Sequence, residues 1–242
     1  MTEHHFFVEP GQLSGAVVEL TGDEAHHAAR VLRVRRGEPI TVADGTGCVA
    51  EAVVSRVGST VEAEVRSVRT VPPPRPAITL YQAVTKGDKM DAVIEKAVEI
   101  GVLRIVPFLA ERTIVRWDGS KSQRAADRWS AIARGAAKQS RSPWLTNVEN
   151  VISSTGALAP REALVIALHE SSSRRLRDLL PDDAPEAIGL VVGPEGGFDG
   201  GELRDLGPRG IDVAGLGERI LRTETAGLVA ATIVGYAYGS LG

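Results

Sequence analysis

The sequence predicts an α/β fold in two parts: a small N-terminal β-barrel carrying one helix, then a larger domain built on a mainly parallel sheet. Three observations predict it. Val71-Pro-Pro-Pro-Arg-Pro76 places four prolines in six residues, which can form neither helix nor central strand and favour a stiff, extended connection. Before it, Val-rich segments alternate with period two between short turns. After it, short apolar runs alternate with helical patterns, as in strand–helix–strand units that build a parallel sheet with helices on its faces. The division falls at residues 1–71 and 72–242, within the range of two modest domains.

In the first part, Ala16–Leu20, Pro39–Ala43, Cys48–Val57 and Thr60–Val68 read as strands, with turns at Asp44-Gly45 and Gly58-Ser59. Thr21-Gly-Asp-Glu24 reads as a capping box opening a helix, with Ala25, Ala28, Ala29 and Leu32 on one face. In the second part, Ala77–Gln82 reads as a strand. Lys89–Ile100 reads as a helix with Met90, Val93, Ile94, Ala97 and Val98 on one face and Gly101 as its stop. Strands are expected at Arg104–Phe108, Ala163–Leu168, Ile188–Val192 and Ile211–Ala214. Helices are expected at Ser120–Ser140, near Arg174–Leu180, at Asp199–Leu206 and at Glu224–Gly239.

Composition excludes several classes. A single cysteine, Cys48, rules out an internal disulfide framework and a Cys-rich zinc site, and suits a reducing cytoplasm. Met1-Thr-Glu-His-His5 lacks the basic and apolar regions of a signal peptide. The uncharged stretch Thr225–Gly242 is diluted by Thr, Tyr, Ser and four glycines, so a membrane span is not expected. The sequence has no P-loop, no G-x-G-x-x-G after a strand and no G-x-S-x-G elbow. The histidine pairs His4-His5 and His26-His27 do not share a helix face and make poor metal ligands, so no metal is expected.

Two glycine-rich turns remain, each following an apolar strand. Val192-Gly-Pro-Glu-Gly-Gly-Phe198 precedes a helix that Asp199 can cap. Gly215-Leu-Gly-Glu-Arg-Ile-Leu-Arg-Thr-Glu-Thr-Ala226 leads into the last helix, with Thr223 as candidate cap and Glu224 in the first turn. Loops at the carboxyl ends of parallel strands are where α/β proteins bind ligands, and glycine lets a ligand approach the backbone.

Gly193-Pro-Glu-Gly-Gly197 together with Leu216-Gly-Glu-Arg-Ile-Leu-Arg-Thr-Glu-Thr-Ala226 resembles the paired C-terminal motifs of the SPOUT methyltransferases. Within them the chain is most similar to the RsmE-type family, which methylates N3 of a uridine in 16S ribosomal RNA. Lys86-Gly-Asp-Lys-Met90, Glu99-Ile-Gly101, Glu111-Arg-Thr113, Ala136-Ala-Lys-Gln-Ser-Arg141 and the stretch His26–Asp44 carry the same resemblance, which spans nearly the whole chain. One departure is Ser140, where many relatives carry cysteine. The resemblance implies a C-terminal trefoil knot, against the general rarity of knots, and a PUA-like RNA-binding barrel at the N-terminus. It also implies S-adenosyl-L-methionine as methyl donor, contacted by Leu168, Gly193, Glu195, Gly196, Leu216, Gly217, Ile220 and Leu221.

For catalysis, Arg219 and Arg222 are candidates to hold the negative charge that develops on the uracil, since a guanidinium does this without losing a proton. Glu195 or Glu224 would accept the proton or orient an arginine. RNA contacts are expected from local positive charge. Residues 112–141 carry eight basic residues, Arg112, Arg116, Lys121, Arg124, Arg128, Arg134, Lys138 and Arg141, against Asp118 and Asp127, in a chain of net charge −3. Arg30, Arg33, Arg35 and Arg36 form a second cluster, and Lys86 joins the candidates. The last helix is apolar all round, so a homodimer covering it is expected. The competing readings are a SPOUT enzyme acting on another RNA position and a non-catalytic RNA-binding protein.

Overall fold

The structure, a computed structural model, describes residues 4–113 and 119–242. Met1, Thr2 and Glu3 at the start of the sequence, and Arg116 and Asp118 of the basic segment, lie outside the described residues. The chain divides into two compact units, Met1–Pro73 with Ala137–Leu145, and Pro74–Ala136 with Thr146–Gly242.

The first unit is a five-stranded sheet of order β1-β3-β4-β5-β2, formed by β1 (His4–Phe7), β2 (Val17–Leu20), β3 (Pro39–Ala43), β4 (Cys48–Val57) and β5 (Val61–Thr70). β1 pairs with β3 in parallel and the other neighbours are antiparallel. β1 and β2 stand at the two edges, so the expected barrel is an open, curled half-barrel. Along β4, Ala50, Ala52 and Val54 face a core with Phe6, Leu20, Ile40, Val42 and Val61. Register shifts at Glu51/Ala52 and Val54/Arg56 bend the long β4–β5 ribbon.

Two expectations change here. β1 was not anticipated, because His4-His5-Phe6-Phe7 is too short to alternate; its three last residues are buried. The helix is α1 (Gly22–His26), continued by a π-helical turn His27–Leu32 that ends at Arg33 with φ 56°. Thr21 is extended ahead of α1 but its hydroxyl makes no cap hydrogen bond. The expected capping box therefore does not form; Glu24 is buried and pairs with Lys138 at 2.7 Å.

The second unit holds a six-stranded, wholly parallel sheet of order β11-β9-β10-β6-β7-β8. In chain order its elements are β6 (Ala77–Ala83), α2 (Lys89–Glu99), β7 (Arg104–Phe108), α3 (Gly119–Gln139), β8 (Asn147–Val148), β9 (Leu164–Leu168), β10 (Ala187–Val192), α4 (Gly200–Leu206), β11 (Ile211–Ala214) and α5 (Thr223–Ala237). Gly101, at φ 86°, stops α2 as its sequence position suggests. One face of the sheet buries Tyr81, Val106, Phe108, Val165 and Val191 with Phe198 and Leu206. Residues 174–180 do not form the expected helix. Only Leu176–Asp178 makes a 3-10 turn, because this segment gives its backbone to Gly215: Gly215 N–H donates to the Arg174 carbonyl and Leu176 N–H to the Gly215 carbonyl.

α5 packs on β6 and β10 through Gly227, where a β-carbon would stand 2.9 Å from Leu80 Cδ1 and 3.1 Å from Val192 Cγ2. Both neighbours are buried. Gly227→Ala gains about 1 kcal/mol in helix propensity but forces overpacking that costs about 1–3 kcal/mol. The expected outcome is a lower urea midpoint with unchanged slope. Among the described residues, no helix is long and apolar enough to cross a membrane, and no group of His, Cys, Asp and Glu side chains is placed to hold a metal ion.

Candidate active site

β9, β10 and β11 end side by side at Leu168, Val192 and Ala214. The chain leaves each through a loop, and the loops enclose a cavity of about 460 Å3. Asp199 fixes the far end of the Gly193–Gly197 turn. Its carboxylate accepts from the N–H groups of Gly201 and Glu202, both at 2.7 Å, while Glu202 accepts from the Asp199 N–H at 2.9 Å. Those backbone donors, Glu202 first, hold the Asp199 carboxyl below its usual range. Within the turn Gly197 takes φ +67°, the conformation that favours glycine, and donates to the Pro194 carbonyl at 2.9 Å.

The second loop is tied to the first by a buried relay. Gln82, at the carboxyl end of β6 and wholly buried, donates from Nε2 to Thr223 Oγ1 at 3.2 Å. The Thr223 hydroxyl donates to the Gly193 carbonyl. Thr223 is thus the first helical residue of α5 and not its cap. Arg222 holds the cap position, with no side-chain cap bond. Gln82 and Thr223 together pin the start of α5 to the Gly193 turn.

Every residue expected at the cofactor site lines this one cavity: Leu168, Gly193, Glu195, Gly196, Leu216, Gly217, Ile220 and Leu221. The catalytic candidates Arg219, Arg222, Glu195 and Glu224 line it as well. Ile220 is 80% exposed, a large apolar side chain left open at the cavity.

The closer contacts to both glutamates come from a lysine and not from the arginines. Lys89, in the first turn of α2, stands between the carboxylates, with Nζ 3.6 Å from Glu195 and 3.3 Å from Glu224. Glu195 also accepts from the Lys86 N–H at 3.3 Å. Burial works to raise the Glu224 carboxyl, but its own backbone N–H and Lys89 prevail and hold it below its usual range. Arg222 is 3.9 Å from Glu224 and its side chain is 82% exposed. Arg219 is exposed and forms no ion pair among the described residues.

Lys89 and His169 also line the cavity, with no site role read for them from the sequence. Lys89 stands in Lys86-Gly-Asp-Lys-Met90, a segment that opens a helix and carries the family resemblance but gives Lys89 no site role of its own. His169 follows Leu168; its Nδ1 accepts from the Ser171 N–H at 3.3 Å and lies 2.8 Å from the Ser171 hydroxyl. An N–H can only donate, so the neutral ring carries its proton on Nε2.

None of the six RNA candidates is itself a lining residue of the cavity. Arg30, Arg33 and Arg141 are exposed in the first unit, Arg33 and Arg141 with left-handed backbones, and Lys86 is exposed in the second. Two of the six are engaged internally. Arg112 Nη1 donates to the Gly196 carbonyl at 3.0 Å, bracing the glycine turn. Lys138 is taken up by Glu24. Near Lys138 and Arg141, burial pushes the His5 imidazole down to about 4.

Residues 72–235 match the RNA methyltransferase domain family, and residues 20–65 match the RNA methyltransferase PUA domain family. The chain is 38% identical over 238 residues to the ribosomal RNA small subunit methyltransferase E of Mycobacterium tuberculosis, covering 95% of this chain and 90% of that protein. The chain belongs to the ribosomal RNA small subunit methyltransferase E family. The Bacillus subtilis member is 31% identical, over 90% of this chain and 89% of its own length. The fold agrees with that of the family: the Neisseria gonorrhoeae methyltransferase E, solved bound to S-adenosyl methionine, superposes with a TM-score of 0.87 at 32% identity over 98% of each chain. A methyltransferase from Legionella pneumophila, solved with the cofactor SAM, gives 0.88 at 30% identity, over 98% of this chain and 99% of that one.

Proposed function

We propose that this RNA methyltransferase transfers a methyl group from S-adenosylmethionine to N3 of a uridine in the 16S RNA of the small ribosomal subunit. The observation that carries this reading is the convergence of both glycine-rich loops, Arg219, Arg222 and the Lys89-linked carboxylates on one cavity at the carboxyl ends of three parallel strands. The cavity fits the cofactor. Its volume lies in the range of small-molecule sites, its walls at Leu168, Val192, Leu216 and Leu221 are apolar, and Glu170, Glu195 and Glu224 suit a ligand bearing positive charge. When bound, the cofactor supplies a methyl group activated on a cationic sulfur.

The residues divide the work. Backbone groups of Gly193, Gly196 and Gly217 allow close approach of the ligand, and the apolar walls with Ile220 exclude water. Excluding water assists a step in which a cation and an anion combine. Arg222, with Arg219 beside it, holds the charge that appears on the base when N3 gives up its proton. Glu224 suits orientation of cations better than proton acceptance, because a carboxylate held below its usual range is a poor base at neutral pH, and Glu195 faces the same cation, Lys89. Arg30, Arg33, Arg141 and Lys86 offer exposed charge to RNA phosphates, and the half-barrel serves as the RNA-binding module of residues 1–71. Arg112 and Lys138 contribute through the turn and the Glu24 pair.

The proposal extends to a trefoil knot in residues 72–242, a cytoplasmic site of action and a homodimer. Support for the dimer comes from α5. Thr223, Gly227, Ala230, Ala231 and Val234 are buried, while Leu228, Val229 and Ile233 are only half-buried and Tyr236 is 75% exposed. A second copy would cover that face. Light scattering at micromolar concentration is expected to give twice the 25.6 kDa chain mass; a single-chain mass rejects the dimer. For the activity, nucleoside mass spectrometry of 16S RNA from a deletion strain, with and without this chain restored, is expected to show loss and return of N3-methyluridine. Another methylated nucleoside would point to a different RNA position, and no change at all would leave the non-catalytic reading.

A further inference from the structure

Lys89 has no part in the roles assigned above, and its position does not suit its own helix. It stands in the first turn of α2, where the partial positive charge of the helix N-terminus disfavours a cation. What it faces are two carboxylates from other elements, Glu195 from the loop after β10 and Glu224 from the first turn of α5. After Lys89, the cation nearest Glu224 is Arg222, at 3.9 Å and mostly exposed.

We infer that Lys89 is a positioning residue of the methyl-transfer site: it takes up Glu195 and Glu224 and so leaves the Arg222 guanidinium open to the RNA. The inference rests on the proposed activity. Two carboxylates without Lys89 form a doubly negative pair beside the cavity. Arg222 is long, exposed and already within reach, so it closes onto Glu224. An arginine so neutralised no longer releases a counterion on binding RNA and no longer faces the base. A merely structural ion pair predicts something else. Lys89 and its partners are all partly exposed, and such pairs are worth only about 0–1 kcal/mol, so its loss would pass unnoticed.

The test uses the full chain and small ribosomal subunits from the deletion strain. Lys89→Met is expected to lower single-turnover methylation at least about tenfold. It is also expected to reduce the slope of log RNA affinity against log salt by about one, while S-adenosylmethionine affinity by calorimetry stays within about threefold. Lys89→Arg retains the wild-type slope. Adding Glu224→Gln to Lys89→Met frees Arg222 again and restores the slope, whatever its effect on turnover. An unchanged salt slope in Lys89→Met overturns the inference, as does a loss of slope that Glu224→Gln fails to reverse. If the unaltered chain binds no S-adenosylmethionine, the activity itself falls and the inference with it; an active unaltered chain beside an unaffected Lys89→Met variant removes the inference alone.

Discussion

Arg222→Ala is expected to lower the methylation rate on assembled subunits by about 10²–10³-fold, the loss typical of one preorganised charge-stabilising donor, with S-adenosylmethionine affinity nearly unchanged. The split follows from geometry. Arg222 is the cap residue of α5, fixed in backbone by the Thr223–Gly193 bond, with an 82% exposed side chain. Its only ion-pair partner among the described residues is Glu224, at 3.9 Å, and that carboxylate is shared with Lys89. Such a side chain contributes little to the cavity walls, so its removal spares ligand binding and falls on the charged transition state. Equal losses in kcat and kcat/KM would express a transition-state interaction. Normal turnover in Arg222→Ala would pass the role to Arg219, which shares the same loop and the same exposure.

The strands were legible wherever burial leaves a simple trace. Pro39–Ala43, Cys48–Val57, Arg104–Phe108 and Ile211–Ala214 appear at the boundaries read from pattern, because half-buried strands alternate and fully buried ones are short apolar runs. What escaped was decided by partners distant in sequence. Glu24 followed Thr21 at capping spacing, yet Lys138, more than a hundred residues away, claims its carboxylate. Residues 174–180 had helix-forming composition, yet Gly215 takes their backbone groups. At the site, the two glycine-rich loops were visible because a backbone that must turn sharply after a strand leaves glycine in the sequence. The residues that hold those loops in place were not. Gln82 reads as a polar residue near the end of a strand and Thr223 as a helix cap, and only the fold joins them through a hydrogen bond. Lys89 was hidden for the same reason: a lone lysine opening a helix carries no sign of the two carboxylates that the fold brings to it.

At the opposite ends of the strands, Arg104→Met destabilises the chain by about 3–5 kcal/mol at pH 7, the cost of leaving a buried partner charge uncompensated. Arg104, the first residue of β7, donates to Glu162 and Glu149 at 2.7 Å each, to the Tyr81 hydroxyl at 2.7 Å and to Thr79 at 3.2 Å. Tyr81 in turn donates to Glu162 at 2.8 Å. The Glu162 side chain is only 5% exposed. Burial would raise its carboxyl, but bonds with Thr79 and Arg104, its own backbone and Tyr81 prevail and bring it down to about 2, from an ordinary 4.5. A carboxyl with a depressed folded-state value stabilises fully above its unfolded value and loses that contribution as protons bind the folded form. The wild-type contribution is therefore complete above about pH 4.5 and declines as pH falls toward 2. In Arg104→Met the sign reverses. The principal cation is gone, burial dominates, and Glu162 escapes its penalty by taking up a proton. The gap between variant and wild type is expected to be widest at pH 7 and to narrow by pH 4, read from urea midpoints at the two values. S-adenosylmethionine affinity of the folded variant should not change, because its cavity opens at the carboxyl ends of the same strands. A gap of equal size at both pH values would mean that Arg104 acts through packing and that the charge on Glu162 costs the variant nothing.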